Sequence, residues 1–352
     1  MLNYIKKKVI DLIIKNQVDK PIIVKKKDLT LNFQTNFQIN TFGKKNPNKF
    51  FYVIRVDKKG GGGLFSNVLF ILNHLIIADQ HNFTPVVDMK NFPTRYNEPK
   101  KILSTLNSWE YYFKPISNVD LKDVYRSKNV IFTNGFINND MSKNYKNNSN
   151  LKKVFKKYIN IKKIYIKNVK NFENKYFKKN KVLGIHFRGT SMKTIPNHPL
   201  PPSTQQMFNL VDRALSKFKF TKIFLVTDQL DYLNLFIRKY GNKVCYRNSF
   251  RSNKSKIFHL TDRKLHRYKM GVDALEDTLL MSKLDYLICS RSNMSEVASL
   301  MLPNKLKVLE IKNGFNPNKI LYSQINWYIR QFLPESFGGF KKRLTLKFEV
   351  NK

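Results

Sequence analysis

The sequence predicts an α/β protein built as two facing domains with a parallel sheet in each. Short apolar runs alternate with stretches of helical period, and they do so in two blocks. A Lys- and Asn-rich zone of weak periodicity, from about residue 138 to 181, separates the blocks and is expected to hold a helical excursion leading to a domain junction. Length agrees, because 352 residues hold roughly two domains of ordinary size.

In the first block, Phe50 to Asp57 (FFYVIRVD) is a strand that ends at a glycine cluster. Leu64 to Ala78 follows, with Leu64, Val68, Leu72, Leu75 and Ile76 at helical spacing, and Thr84 to Asp88 is the next strand. Strand, turn, helix and strand make a β-α-β unit, whose parallel pair needs a crossover of this length. In the second block, strands are expected at Val182 to Phe187, Lys222 to Asp228, Lys243 to Tyr246, Asp285 to Cys289 and Lys307 to Ile311. Helices are expected at Ser203 to Phe218, Tyr232 to Tyr240 before Gly241, Asp273 to Ser282, and Ser295 to Met301 before Pro303. The expected division is a basic extension over 1–48, an N-terminal domain over 49–180, a C-terminal domain over 181–340 and a tail over 341–352.

Composition narrows the function classes. A hydrophobic fraction of 42% is enough for a packed core and excludes a wholly disordered chain. The two cysteines, Cys245 and Cys289, form neither a disulfide scaffold nor a metal-spaced cluster, so no structural metal is expected. No run reaches the roughly 18 apolar residues of a membrane span, and no secretory leader pattern is present, so a cytoplasmic protein is expected. Residues 2–15 alternate apolar residues with lysines, a pattern that suits peripheral contact with an anionic membrane and equally an ordinary solvated helix. The formal charge of +41 suggests polyanions, but lysines are spread through almost every segment. Without a zinc-finger, RNP-type or basic-zipper pattern, specific nucleic-acid recognition is not expected.

In open α/β sheets ligands bind beyond the carboxyl ends of the strands, so the residues just after each strand carry the chemistry. Four such places are polar. The first is the glycine turn with Gly62 and Gly63, followed by Asn67 in the first helical turn, where backbone N–H groups approach a ligand. It matches neither a dinucleotide fingerprint nor a P-loop. The second is His186 and Arg188, two residues apart and hence on one side of the strand, with Arg188 offering a guanidinium fork for a diphosphate. The third is Asp228, an acceptor for a ribose or base edge. The fourth is Ser290, Ser292 and Asn293 at a strand-to-helix turn, a phosphate cradle. Each has a structural alternative: a flexible turn, a salt-bridged Arg beside a core His, an Asp helix cap, and a capping box between Asn293 and Glu296. Trp109 to Phe113 (WEYYF) suits an acceptor platform or, more commonly, core packing.

Together these segments resemble a known family. His186-Phe187-Arg188-Gly189-Thr190, then Val226-Thr227-Asp228, then the run from Asp277 to Ser292 are similar to the three ordered motifs of the fucosyltransferase superfamily, which includes α-1,2-, α-1,6- (rhizobial nodulation type) and protein O-fucosyltransferases. Gly62-Gly63-Leu64-Phe65-Ser66-Asn67 resembles the N-terminal element of the same group, and the likeness runs from about Val53 to Leu302. It implies a GT-B-like fold of two Rossmann-like domains, GDP-fucose as donor, inversion at the sugar carbon and no metal. The absence of an Asp-x-Asp motif agrees with the last point. By position, Arg188 would neutralise the departing β-phosphate; Asp228, Ser290 and Ser292 would contact GDP, with Asn293 nearby; Asn67 would face the sugar. The chain departs from the family at Ser191, where many members carry an acid, and lacks the nearby glutamate, reading Ile195-Pro196-Asn197-His198-Pro199 instead. His198 is then the candidate general base. The expected acceptor is a glycan of the cell envelope or a secreted glycan. Another nucleotide sugar on the same scaffold, and a basic nucleic-acid- or membrane-binding protein, are the alternatives.

Overall fold

The computed structural model describes residues 37–56, 62–133, 149–254, 257–259, 263–301, 306–341 and 344–350. The basic segment 2–15 and glycines 60 and 61 lie outside these residues.

The N-terminal part runs β1 (Ile39–Asn40), β2 (Lys45–Ile54), α1 (Leu64–Gln80), β3 (Thr84–Val87), α2 (Trp109–Tyr112), α3 (Leu121–Val124), β4 (Ser127–Phe132), α4 (Ser149–Tyr158) and α5 (Lys163–Tyr176). Its sheet has the order β1-β4-β2-β3, with β2 parallel to both β3 and β4 and β1 antiparallel at the edge. The C-terminal part runs β5 (Val182–His186), α6 (Thr204–Phe218), β6 (Lys222–Val226), α7 (Leu230–Tyr240), β7 (Val244–Cys245), α8 (His266–Met281), β8 (Tyr286–Ser290), α9 (Asn293–Met301), β9 (Lys307–Ile311), α10 (Ile320–Arg330) and β10 (Glu349–Val350). Its sheet has the order β10-β9-β8-β5-β6-β7, parallel throughout except for β10. The predicted α/β class, with a largely parallel sheet in each half, is what the chain adopts.

Both sheets reverse direction of strand addition in the middle. From β5 the chain builds outward to β6 and β7, then returns to lay β8 and β9 on the other side, so the carboxyl ends of β5 and β8 flank a crevice. β2 occupies the equivalent place between β4 and β3.

The halves share a core. α1 is apolar nearly all round because it packs on its own sheet and also on α4, α8 and α9, which a one-sided helix would not require. One continuous apolar cluster joins Ile54 and Leu72 to Tyr112, Phe224, Leu279 and Val297. The junction is closest at Gly271 in α8, where a Cβ would overlap the Tyr112 hydroxyl, and that hydroxyl donates to the Tyr268 carbonyl at 3.0 Å.

Several boundaries shift from the sequence reading. Residues 39–48, expected in the extension, supply β1 and the first part of β2, and the expected tail supplies β10, with Leu344, Leu346 and Phe348 against the second core. α8 starts seven residues before Asp273, because Gly271, which weakens the helical pattern in sequence, is the contact that Tyr112 needs. The zone expected to be helical does form α4 and α5, but α5 packs on α8 and, through Phe172, on Phe224 of the second sheet. Among the described residues no helix is long and apolar enough to cross a membrane.

Candidate active site

The carboxyl end of β5 meets that of β8. Register pairs His186 with Cys289, and one turn farther the His186 Nδ1 and the Ser292 Oγ lie 3.2 Å apart, both side chains buried. Burial drives the His186 pKa down to about 3, the Arg188 charge pushes the same way and Asp228 opposes them, so the ring is neutral at physiological pH. Ser292 also caps α9: its Oγ accepts from the Ser295 N–H at 3.1 Å while the Ser295 Oγ accepts from the Ser292 N–H at 3.2 Å. The box is therefore Ser292 with Ser295, not Asn293 with Glu296 as spacing suggested, and α9 begins at Asn293. Glu296 instead pairs with Arg291. Ser290 is buried at the end of β8, and Asn293 is exposed in the first turn of α9.

Arg188 stands two residues beyond β5, half-buried, and makes no hydrogen bond or ion pair with any described residue. The salt-bridged alternative is thus not found among the described residues. The loop after it is held rigidly. The two Asp228 oxygens accept from the Gly189 N–H at 3.0 Å and from the Thr190 hydroxyl at 2.9 Å, and the Gln229 Oε1 accepts from the Thr190 N–H at 3.1 Å. These bonds fix Thr190 at φ 44°, a left-handed conformation that a β-branched residue resists. Gly189 is required there, since a Cβ would overlap the Gln229 side chain. Asp228 therefore shapes the loop that presents Arg188.

From the other half, the turn at Gly62 and Gly63 begins α1. Asn67 is buried, and its Oδ1 accepts from the Gly62 N–H at 3.1 Å, closing the turn. The Leu64 N–H donates to the Tyr96 hydroxyl at 2.6 Å. That hydroxyl is pushed up to about 12 by burial, while the Leu64 N–H and the charges of Arg95 and Arg188 pull it back. The loop that follows β3 meets the second half directly: the Tyr96 ring lies edge-on to Phe258 with centroids 5.3 Å apart, and the Tyr268 N–H donates to the Glu98 Oε1 at 3.0 Å. Arg95 also lies over the Phe258 ring, 5.1 Å from its centroid.

His198 sits apart from this cluster. It is exposed, its Nδ1 lies 2.9 Å from the Pro196 carbonyl, its own carbonyl accepts from the Asn316 N–H, and no described hydrogen bond ties it to His186, Arg188 or Asp228. The aromatic run is packing: Trp109, Tyr111, Tyr112 and Phe113 are buried, with Trp109 stacked on Phe113 and Tyr112 on Tyr268. Sequence reading missed Arg95 and Tyr96, which lie eight and nine residues past the strand they follow. It also missed Lys193, whose ammonium is buried between the rings of Tyr232 and Trp327 and donates to the Gln229 Oε1 at 3.1 Å. Burial lowers its pKa, with Asp228 and Asp231 opposing. The arrangement suits an anion with two or more phosphates: a free guanidinium, the N–H groups of a helix N-terminus, and a neutral imidazole between them.

A model of the family described as Nodulation protein Z (NodZ) matches residues 62–327. No curated protein is similar enough in sequence to be matched. Solved structures similar to the chain include the fucosyltransferase NodZ from Bradyrhizobium, at 15% identity and a TM-score of 0.47 over 77% of this chain and 97% of that one. NodZ α-1,6-fucosyltransferase co-crystallised with GDP gives the same figures. POFUT1 in complex with GDP-fucose is similar at 11% identity and a TM-score of 0.41, over 72% of this chain and 94% of that one.

Proposed function

The chain belongs to the Nodulation protein Z (NodZ) family, and from that premise we propose that it is an inverting, metal-independent glycosyltransferase moving fucose from GDP-fucose to a glycan of the cell envelope or a secreted glycan. The observation that carries the reading is Arg188, a half-buried guanidinium without a protein partner among the described residues, at the switch point of a parallel sheet. As the bond between the sugar carbon and the diphosphate oxygen breaks, charge collects on the departing phosphate. A positive group fixed in advance stabilises that charge more in the transition state than in the ground state. The first-turn N–H groups of α9 add to it. His186, held neutral, does not compete for the anion and anchors β5 to α9 through Ser292.

Inversion requires the acceptor oxygen to attack from the face opposite the diphosphate and to give up its proton. Asp228 has both oxygens engaged and His186 is enclosed, so we assign the proton to His198, exposed in the loop leading from Arg188.

Melting measurements with GDP, UDP and ADP, with and without EDTA, test the donor on wild type and Arg188→Ala. A ligand at about a hundred times its Kd stabilises by roughly 2.7 kcal/mol, a visible shift. Selective stabilisation by GDP, unaffected by EDTA and lost in the variant, is expected. Equal response to all nucleotides, or an unchanged response in the variant, would sink the assignment.

A further inference from the structure

Helix α10 has an apolar stripe turned to solvent. Leu321, Ile325, Tyr328 and Ile329 recur at i, i+4, i+7 and i+8, one face of a helix, and with Phe332 in the turn that follows they are 82%, 52%, 47%, 50% and 68% exposed. Tyr322 beside them is also exposed, as are Phe315 before the helix and Phe337 after it. The helix is not misplaced. Its opposite face buries Ser323 and Trp327, the Trp327 indole donates to the Pro201 carbonyl at 2.8 Å, and Trp327 packs with Phe340 and Leu200. A contiguous apolar stripe of this extent marks a contact that the described residues do not make.

We propose that α10 docks the protein on an anionic lipid bilayer. Charge selects that occupant. α10 contains no carboxylate, the exposed Lys312, Lys319 and Lys341 around it outnumber the exposed Glu335 that follows it, and the chain as a whole carries +41. Two copies meeting through this face would bring like charges together, whereas an anionic headgroup layer attracts the lysines while the acyl boundary takes the side chains from Leu321 to Phe332. Tyr322 and Tyr328 suit the headgroup depth, where amphipathic rings collect. The inference stands whichever sugar the site transfers. α10 also packs against the Thr190–Lys193 turn through Trp327 and Lys193, so docking would hold the Arg188 edge close to membrane-borne acceptors.

The test is co-sedimentation of the full chain with vesicles of phosphatidylcholine alone and with about one third phosphatidylserine. It compares wild type with a Leu321→Gln, Ile325→Gln, Ile329→Gln triple variant, whose positions face solvent and leave the core untouched. Wild type should bind the mixed vesicles and the variant should lose binding by roughly tenfold or more, with an unchanged melting temperature. Equal binding by both proteins would assign the attraction to dispersed charge or to residues 2–15 and overturn the proposal. So would failure of wild type to bind, or a lipid-free dimer of wild type that the variant abolishes.

Discussion

Arg188 and Arg247 hold equivalent places, each two residues beyond the end of a parallel strand of the same sheet and each partly buried. Their surroundings are opposite. Arg247 is clasped by Glu276 and Asp277, with Ser249 and the Asp273 carbonyl completing its donors. The nearby charges of Asp277 and Glu276 outweigh burial and hold its pKa up, while burial raises those of Glu276 and Asp277. Among the described residues Arg188 has none of this. A charge removed from water and left unpaired is costly, and it persists where a ligand completes it. At the edge strand β7 the fold spends its carboxylates on its own arginine; at the central strand β5 it leaves the arginine open.

The largest expected effect therefore belongs to Arg188. Arg188→Ala should lower kcat/KM by about 10³-fold, in the range of a lost oxyanion donor, without loss of thermal stability in the nucleotide-free protein. Steady-state kinetics beside a melting curve checks both halves, and a destabilised variant would place Arg188 with Arg247 as a structural residue. His198→Ala should lower kcat by about 10²-fold and leave GDP affinity unchanged, read from steady-state kinetics beside GDP binding. Arg247→Ala should do the reverse of Arg188→Ala, costing about 3 kcal/mol of stability in denaturant unfolding, because Glu276 and Asp277 are left as uncompensated buried charges.

Gly271→Ala forces the Tyr112 hydroxyl away from the Tyr268 carbonyl and should cost about 1–3 kcal/mol by overpacking, with KM for donor little changed. The last effect is a pH dependence. The folded pKa of His186 is about 3 against an ordinary 6.5, so the unfolded chain takes up a proton that the native state refuses. The stability due to neutral His186 is complete above about 6.5 and is lost as pH falls toward about 3. The melting temperature of wild type minus that of His186→Asn should shrink across that window, and a constant difference would mean that the ring is not held neutral.

The arginine pair also explains what was legible in advance. Period and strand-end position are local properties, and they located both α/β blocks, the β5 and β8 ends, and the residues Arg188, Ser290 and Ser292. Pairing is not local. Glu276 lies 29 residues from Arg247, and Ser292 lies 106 from His186, so neither the clasp nor the bridge is visible in spacing. Asp228 and Asn67 were singled out as groups that would contact GDP and face the sugar. Their partners, the Gly189 and Gly62 N–H groups, make them braces of the loops that present the site. The short β1 and β10 carry too few residues to show a period, and α10 carries its period on the solvent side.

The two tryptophans of the chain fall one to each half: Trp109 enclosed in the first core, and Trp327 with the Lys193 ammonium 4.6 Å from its ring. An indole beside a cation and one stacked on a phenyl ring emit differently, so replacing Trp109 with phenylalanine would leave a single native indole, excited apart from the tyrosines at long wavelength, on the far side of the turn that follows Arg188. Light from Trp327 would then report, without any added label, when that turn is disturbed from the nucleotide side or from the surface of α10.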